Sequence, residues 1–261
     1  MPYLAKILLY PIKSFDGVEV ESAKVLPSGS LAYDREFALV DERGNIVNGK
    51  RHAKIHLLRA KFALLDRTIS LQIPDSESPQ VFHLDREQQL LEATLSDFFG
   101  FAVTLQQNSL MGFPDDRNCS GPTVISTATL TEVTSWFPGM TVEQMRRRMR
   151  ANIEIGGVPA FWEDRLFSSH SDETVSFRVG NVSFLGIQPC QRCVVPTRDP
   201  DSGQAETNFQ KIFVQQRQAT FPDWVASSRF NHFYRLSVNT RRSDLSSANS
   251  LQIGDEVAIF P

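Results

Sequence analysis

Cys190, Arg192 and Cys193 are the residues with the clearest chemistry, in Gln188-Pro189-Cys190-Gln191-Arg192-Cys193-Val194-Val195-Pro196-Thr197-Arg198-Asp199-Pro200-Asp201-Ser202-Gly203. A guanidinium beside a thiol favours the thiolate, the form that attacks or ligates metals. The common Cys-x-x-Cys chemistries fit poorly. A redox dithiol opens a helix, whereas β-branched Val194 and Val195 followed by Pro196 predict extended backbone and block a helix. Tetrahedral zinc needs four ligands and this pair supplies two. Haem attachment needs His after the second Cys, where Val194 stands. In extended backbone, side chains three apart face opposite ways, so unless the chain bends only one of the two thiols reaches a given pocket.

Other candidates are cationic or hydroxylic. Lys13 and Ser14, in Tyr10-Pro11-Ile12-Lys13-Ser14, put an ammonium and a hydroxyl at a strand end, a pair suited to a phosphate. Arg35 opens a strand between Asp34 and Glu36; taken alone it reads as a surface ion pair worth at most about 1 kcal/mol. Arg146, Arg147, Arg148 and Arg150 end a helix, where cations favour the negative end of the dipole. Arg146 to Arg148 read as a solvated face. Ser126 and Thr127, at a strand-to-helix junction, suit a helix cap or an anion. Cys119 reads as a spare thiol on a surface loop. His52, His56, His83, His170 and His232 are scattered and suggest no metal site.

Together these pieces resemble the MOSC family, the molybdenum cofactor sulfurase C-terminal domain. Its members carry Cys-x-Arg-Cys, a short β run and Asp-Pro-Asp-x-Gly, matched here by Asp199-Pro200-Asp201-Ser202-Gly203. Tyr-Pro-x-Lys-Ser, an Asp-Arg before a strand, and Arg-x-Asn at Arg150-Ala151-Asn152 resemble further parts of its pattern. The resemblance implies a molybdopterin-type molybdenum cofactor, with Cys193 as catalytic residue and metal ligand. It implies cofactor contacts from Lys13, Ser14, Arg35, Ser126, Thr127, Arg150, Asn152 and Arg192, and leaves Cys190 packed behind the strand. The activity implied is that of the family's amidoxime-reducing branch, reduction of N-hydroxylated compounds. A sulfur or cofactor carrier using a Cys193 persulfide is the alternative.

The elements that must position these groups are mostly short strands. Leu4 to Tyr10, Val18 to Val25, Glu36 to Asp41, Ile69 to Ile73 and Val81 to Leu84 fill the first hundred residues between turn clusters. A helix is expected from Arg86 to Phe99, stopped by Gly100. The loop from Asn108 to Gly121 sets the expected boundary, with domains 1–107 and 108–261. Beyond it we expect helices near Ala128 to Phe137 and from a Thr141–Gln144 capping box to Arg150. A hairpin turns at Gly180-Asn181. A second capping box at Thr207 to Gln210, then strands Phe233 to Val238 and Glu256 to Phe260, close the chain. The fold class is mainly β with α (α+β), a MOSC-type β-barrel preceded by a smaller N-terminal β-barrel-like domain.

Composition sets outer limits. A net charge of −3 argues against a nucleic-acid binder or a polybasic membrane-surface protein, so any strong anion site must be local. Three cysteines make no disulfide framework and cannot hold a Cys₄ iron–sulfur cluster. With neither a haem motif nor Gly-x-Gly-x-x-Gly, no haem, flavin or iron–sulfur cluster is expected. Electrons would come from a separate donor protein of ferredoxin, flavoprotein or cytochrome b5 type. The start of the chain offers no signal peptide or spanning segment, so a cytoplasmic location is expected.

Overall fold

The computed structural model describes residues 1–243 and 250–260. Its first half holds β1 (Tyr3–Leu9), β2 (Val18–Val20), β3 (Ser22–Lys24), β4 (Phe37–Asp41), β5 (Arg59–Ala63), β6 (Thr68–Gln72), β7 (Gln80–His83), α1 (Gln88–Phe99) and β8 (Val103–Gln107). Its second half holds β9 (Val124–Ser126), α2 (Thr127–Ser135), α3 (Val142–Met149), β10 (Ile153–Gly156), β11 (Val175–Val179), β12 (Val182–Gln191), α4 (Phe209–Ala219), β13 (Arg235–Arg242), β14 (Ser250–Gln252) and β15 (Val257–Ile259). The sheet-rich, mixed character expected from the sequence is present.

Eight strands form the main sheet, in the order β15-β11-β12-β13-β9-β10-β1-β2. β1 runs antiparallel to β10, with Leu4 opposite Ile155 and Ile7 opposite Ile153. The first strands of the chain therefore belong to the same sheet as its last third. β9 and β10 are parallel, which needs a crossover, and α2 and α3 supply it. Strand pairing leaves this sheet open, so among the described residues no closed barrel forms. The start of β1 approaches the segment before β15 at an isolated bridge, Tyr3 to Glu256, where Leu4 N donates to Asp255 O at 2.8 Å and Val257 N to Pro2 O at 3.0 Å. A smaller layer, β4 with β8 and the meander β5-β6-β7, packs α1 over its own apolar cluster of Phe37, Leu39, Ile69, Leu91 and Leu95.

Several local expectations hold for the stated reasons. Gly100 adopts the left-handed conformation at the end of α1, φ 81°, and donates to Ser96 O. Thr141 and Gln144 form the reciprocal capping box of α3. Others are overturned. Val195–Thr197 is a turn of 3₁₀ helix instead of strand, because Pro196 fits the first turn of a helix, where no N–H is needed. No capping box opens α4: Asn208 caps it in the left-handed conformation without a side-chain bond. Strand β5 lacks a clean alternation and escapes a reading by pattern. Among the described residues no helix is long and apolar enough to cross a membrane.

Candidate functional site

The turn after β1, the start of β4, the loop 108–121, the α3–β10 junction and the end of β12 converge on one cavity of about 620 Å³. Lys13, Ser14, Arg35, Arg150, Asn152, Arg192 and Cys193 all line it. Ser126 and Thr127 do not. Ser126 is fully buried as the N-cap of α2, accepting from Thr129 N at 3.0 Å, and Thr127 opens that helix away from the cavity. The predicted set is thus seven residues drawn together and two left in a structural helix cap.

Three of the seven hold an unusual backbone. Ser14, Arg35 and Arg150 have φ of 72°, 49° and 53°, a region that costs non-glycine residues of order 1–3 kcal/mol. Such strain persists where the surroundings fix it, and here it falls at the ends of β1, β4 and α3, turning each side chain to the cavity wall. Lys13 is 6% exposed and its Nζ donates to Phe113 O at 2.7 Å and Asp115 Oδ1 at 2.8 Å. Arg35 pairs with Asp34 and donates to Asn152 Oδ1 at 3.2 Å. Arg150 differs: no carboxylate among the described residues pairs with it, and its Nη2 is buried without a partner. Its guanidinium lies 4.1 Å from the Tyr10 ring centroid.

The cavity carries eight Lys and Arg side chains against Asp34, Asp115 and Asp116, a local excess of five positive charges on a chain of net −3. That meets the expectation of a local anion site. Burial lowers the Lys13 pKa against the pull of Asp115, and burial likewise lowers that of Arg150. Burial opposes Arg35 too, but Asp34 and Asp115 outweigh it and raise its pKa.

The thiols correct the alternation argument. The chain leaves β12 after Gln191 and bends, so Cys190 and Cys193 line the same cavity. Cys190 is not packed behind the strand. Arg192 Nη1 donates to Cys190 Sγ at 3.4 Å and Nη2 to Met149 O at 2.5 Å, while Cys193 Sγ accepts from Val195 N at 3.5 Å. Cys119, read as a surface thiol, is buried on the same cavity, where burial and Asp116 push its pKa up to about 12. The arginines of α3 are not a solvated face. Arg146 binds fully buried Glu154, and Arg148, 4% exposed, donates to Pro196 O and Arg198 O and pairs with Glu206 at 2.9 Å. Arg148 thereby clamps the 3₁₀ turn that follows Cys193.

His56, which no motif announced, lines both this cavity and an adjoining one of about 440 Å³. Burial, then Arg150 and Arg198, push its pKa down to about 4, leaving a neutral imidazole at pH 7. Asp115 was legible only through the length of its loop. Among the described residues no three His, Cys, Asp or Glu side chains are arranged to hold a metal ion. A metal here would rely on ligands that a cofactor brings. The donor set, one pocket with free thiols, surplus cations and an unpaired Arg150, fits an anionic cofactor carrying a thiophilic metal.

Residues 1–105 match the family described as "MOSC N-terminal beta barrel domain" and residues 117–258 match "MOSC domain". Mitochondrial amidoxime reducing component 2 from Bos taurus is 26% identical over 243 residues, covering 77% of this chain and 67% of that protein. Its Homo sapiens counterpart is 25% identical over 244 residues, covering 77% and 68%. Molybdenum cofactor sulfurase from Homo sapiens is 24% identical over 257 residues, covering 80% of this chain and 28% of the relative.

Proposed function

The chain belongs to the MOSC family, and on that premise we propose that it is a molybdenum-cofactor-binding oxidoreductase reducing N-hydroxylated compounds with electrons from a separate donor protein. The observation that carries the reading is Arg150, held on the cavity wall beside Tyr10 with no carboxylate partner among the described residues, in the pocket that also holds Cys193. A cation left unneutralised at a pocket is a vacancy for an anion.

In this reading the Cys193 thiolate is the protein ligand to molybdenum. Arg150, Arg35 and Lys13 neutralise the pterin phosphate, and Ser14, Asn152 and Arg192 fix the orientation of the pterin. Charge-assisted hydrogen bonds of this kind contribute about 1.5–3 kcal/mol each. When bound, the cofactor supplies the two-electron chemistry that removes the hydroxyl oxygen from nitrogen as water. The chain's part is to hold it rigidly: Arg148 fixes the turn after Cys193, Arg146 ties α3 to β10 through Glu154, and Arg192 bonds to Met149 O at the end of α3.

The test is molybdenum and pterin content of the chain purified from a cofactor-competent host, with turnover of an amidoxime or hydroxylamine using an artificial donor. Cys193→Ser should lose at least 100-fold in turnover and the metal–thiolate absorption band. Cys190→Ser should keep both, since serine can still accept from Arg192. The opposite pattern would invert the assignment. A sulfur or cofactor carrier acting through a Cys193 persulfide is supported by the sulfurase relatives; metal content without turnover would favour it.

A further inference from the structure

Lys13, the most deeply buried of the proposed cofactor cations, already has an anion on it. Its Nζ lies 2.8 Å from Asp115 Oδ1, and Asp115 also ranks among the charges that stabilise Arg35. The two partners differ in accessibility: the Lys13 side chain is 8% exposed and that of Asp115 is 67% exposed. Desolvation works against the Asp115 charge, but Lys13 and Arg35 outweigh it and hold the carboxyl well below the usual carboxylate range.

The loop that carries Asp115 is pinned on both sides of it. Ser30 Oγ lies 2.8 Å from Met111 O and 3.0 Å from Ser120 O, and Phe113 N donates to Arg35 O at 2.8 Å. Gly112, φ 67°, packs so closely that a Cβ there would come within 2.6 Å of Asp34 O. Asp116 is held by Gln188, whose Nε2 donates to its Oδ2 at 3.2 Å. Between these anchors the Asp115 carboxylate pairs, among the described residues, with Lys13 alone, and can turn to solvent without unfolding the loop.

We infer that Asp115 is an internal placeholder anion at the Lys13–Arg35 centre, and that it sets the site's preference for ligands able to displace it, dianionic phosphate groups above carboxylates. This rests on the proposed reading of Lys13 and Arg35 as phosphate contacts. A monoanion gains nothing over the carboxylate it would replace. A phosphate dianion engages Lys13 and Arg35 together and outcompetes it.

The test is calorimetric titration of inorganic phosphate, and separately acetate, into the full chain purified from a host unable to make the pterin. Phosphate should bind the unaltered chain weakly and Asp115→Asn about tenfold more tightly. Acetate should bind only the variant. Lys13→Met should abolish the gain, so that Lys13→Met/Asp115→Asn binds phosphate no better than Lys13→Met alone. An Asp115→Asn affinity equal to or weaker than that of the unaltered chain overturns the inference, as does absence of phosphate binding to the variant. Asp115→Ala serves as the second variant, and circular dichroism confirms that each is folded. Molybdenum and pterin content of the unaltered chain from a competent host separates the two claims: metal present with no gain in Asp115→Asn sinks only the placeholder. A gain with no metal sinks only the cofactor.

Discussion

Arg217 and Arg150 occupy two different regions and solve the same problem differently. Arg217, on α4, is fully buried in the core, 4.1 Å from the Phe161 ring centroid, and pairs with Asp164. Arg150, at the end of α3, sits 4.1 Å from the Tyr10 centroid and pairs with no carboxylate among the described residues. Aromatic faces contribute about 0.5–2 kcal/mol to each cation. That is far below the cost of burying an unpaired charge, which the protein meets with a carboxylate in the core and leaves unmet at the cavity. The charge of the structural arginine is balanced within the chain, although its Nε and Nη1 are buried without a hydrogen-bond partner among the described residues. A binding arginine is complete only with its ligand.

The sharpest way to break this comparison is to remove the acid from the core. Asp164→Ala should cost about 3–5 kcal/mol of stability, because it leaves Arg217 uncompensated. Denaturant unfolding measures it, and a loss below about 1 kcal/mol would mean that Asp164 is not what balances Arg217. Arg150→Met should do the reverse. We expect molybdenum per chain to fall about ten- to hundredfold with the melting temperature unchanged or slightly raised, since the variant removes a cation that burial disfavours. Full metal content in this variant would take Arg150 out of the site.

The sequence made much of this pocket readable because its parts sit in short local patterns: Lys13-Ser14 at a strand end, Arg150 one residue past a capped helix, Cys193 beside Arg192. What escaped depends on backbone path or on distant packing. The bend after Gln191 brings Cys190 into the cavity, and no alternation rule reveals a bend whose cause includes Arg148 holding Pro196 O from another helix. Ser126 and Thr127 look like anion ligands because a helix cap and an anion site call for the same hydroxyl chemistry. Only their placement separates the two roles. The membership of β1 in the large sheet, opposite β10, is a pairing across more than 140 residues and leaves no local signature.

His56 offers a smaller handle on the same contrast, since Arg150 is the second cause of its lowered pKa after burial. A free imidazole titrates near 6.5, so between pH 6.5 and about 4 the unfolded chain takes up a proton that the folded chain refuses. The contribution is fully present above pH 6.5 and lost as pH falls through that window. We expect roughly 2 kcal/mol to have been lost by pH 4, after discounting for partial exposure. His56→Asn should flatten this part of the stability–pH curve, measured by urea unfolding at pH 7 and pH 4.5. Arg150→Met should shrink the pH-dependent loss, because relieving the repulsion raises the folded-state pKa of His56 toward 6.5. An unaltered curve in both variants would show that His56 is not held neutral by this pocket.

Arg35 stands between the two extremes, and its substitution should give the smallest and most mixed effect. It has an acid, Asp34, as Arg217 does, and it lines the cavity, as Arg150 does. Removing it does not strand its partners: Asp34 Oδ1 still accepts from Tyr10 N at 2.9 Å, and Asn152 Oδ1 from Thr123 N at 3.2 Å. Arg35→Ala should therefore cost only about 1 kcal/mol of stability, the scale of one net hydrogen bond between groups that keep another partner. Metal retention should fall about threefold, because Lys13 and Arg150 remain to hold the phosphate. The left-handed backbone at position 35 stays strained in the alanine variant, so Arg35→Gly should recover part of the stability and none of the retention. Melting temperature and molybdenum per chain, read on the same preparations, decide the case. Loss of metal with no change in stability would class Arg35 with Arg150. Loss of stability with full metal would class it with Arg217.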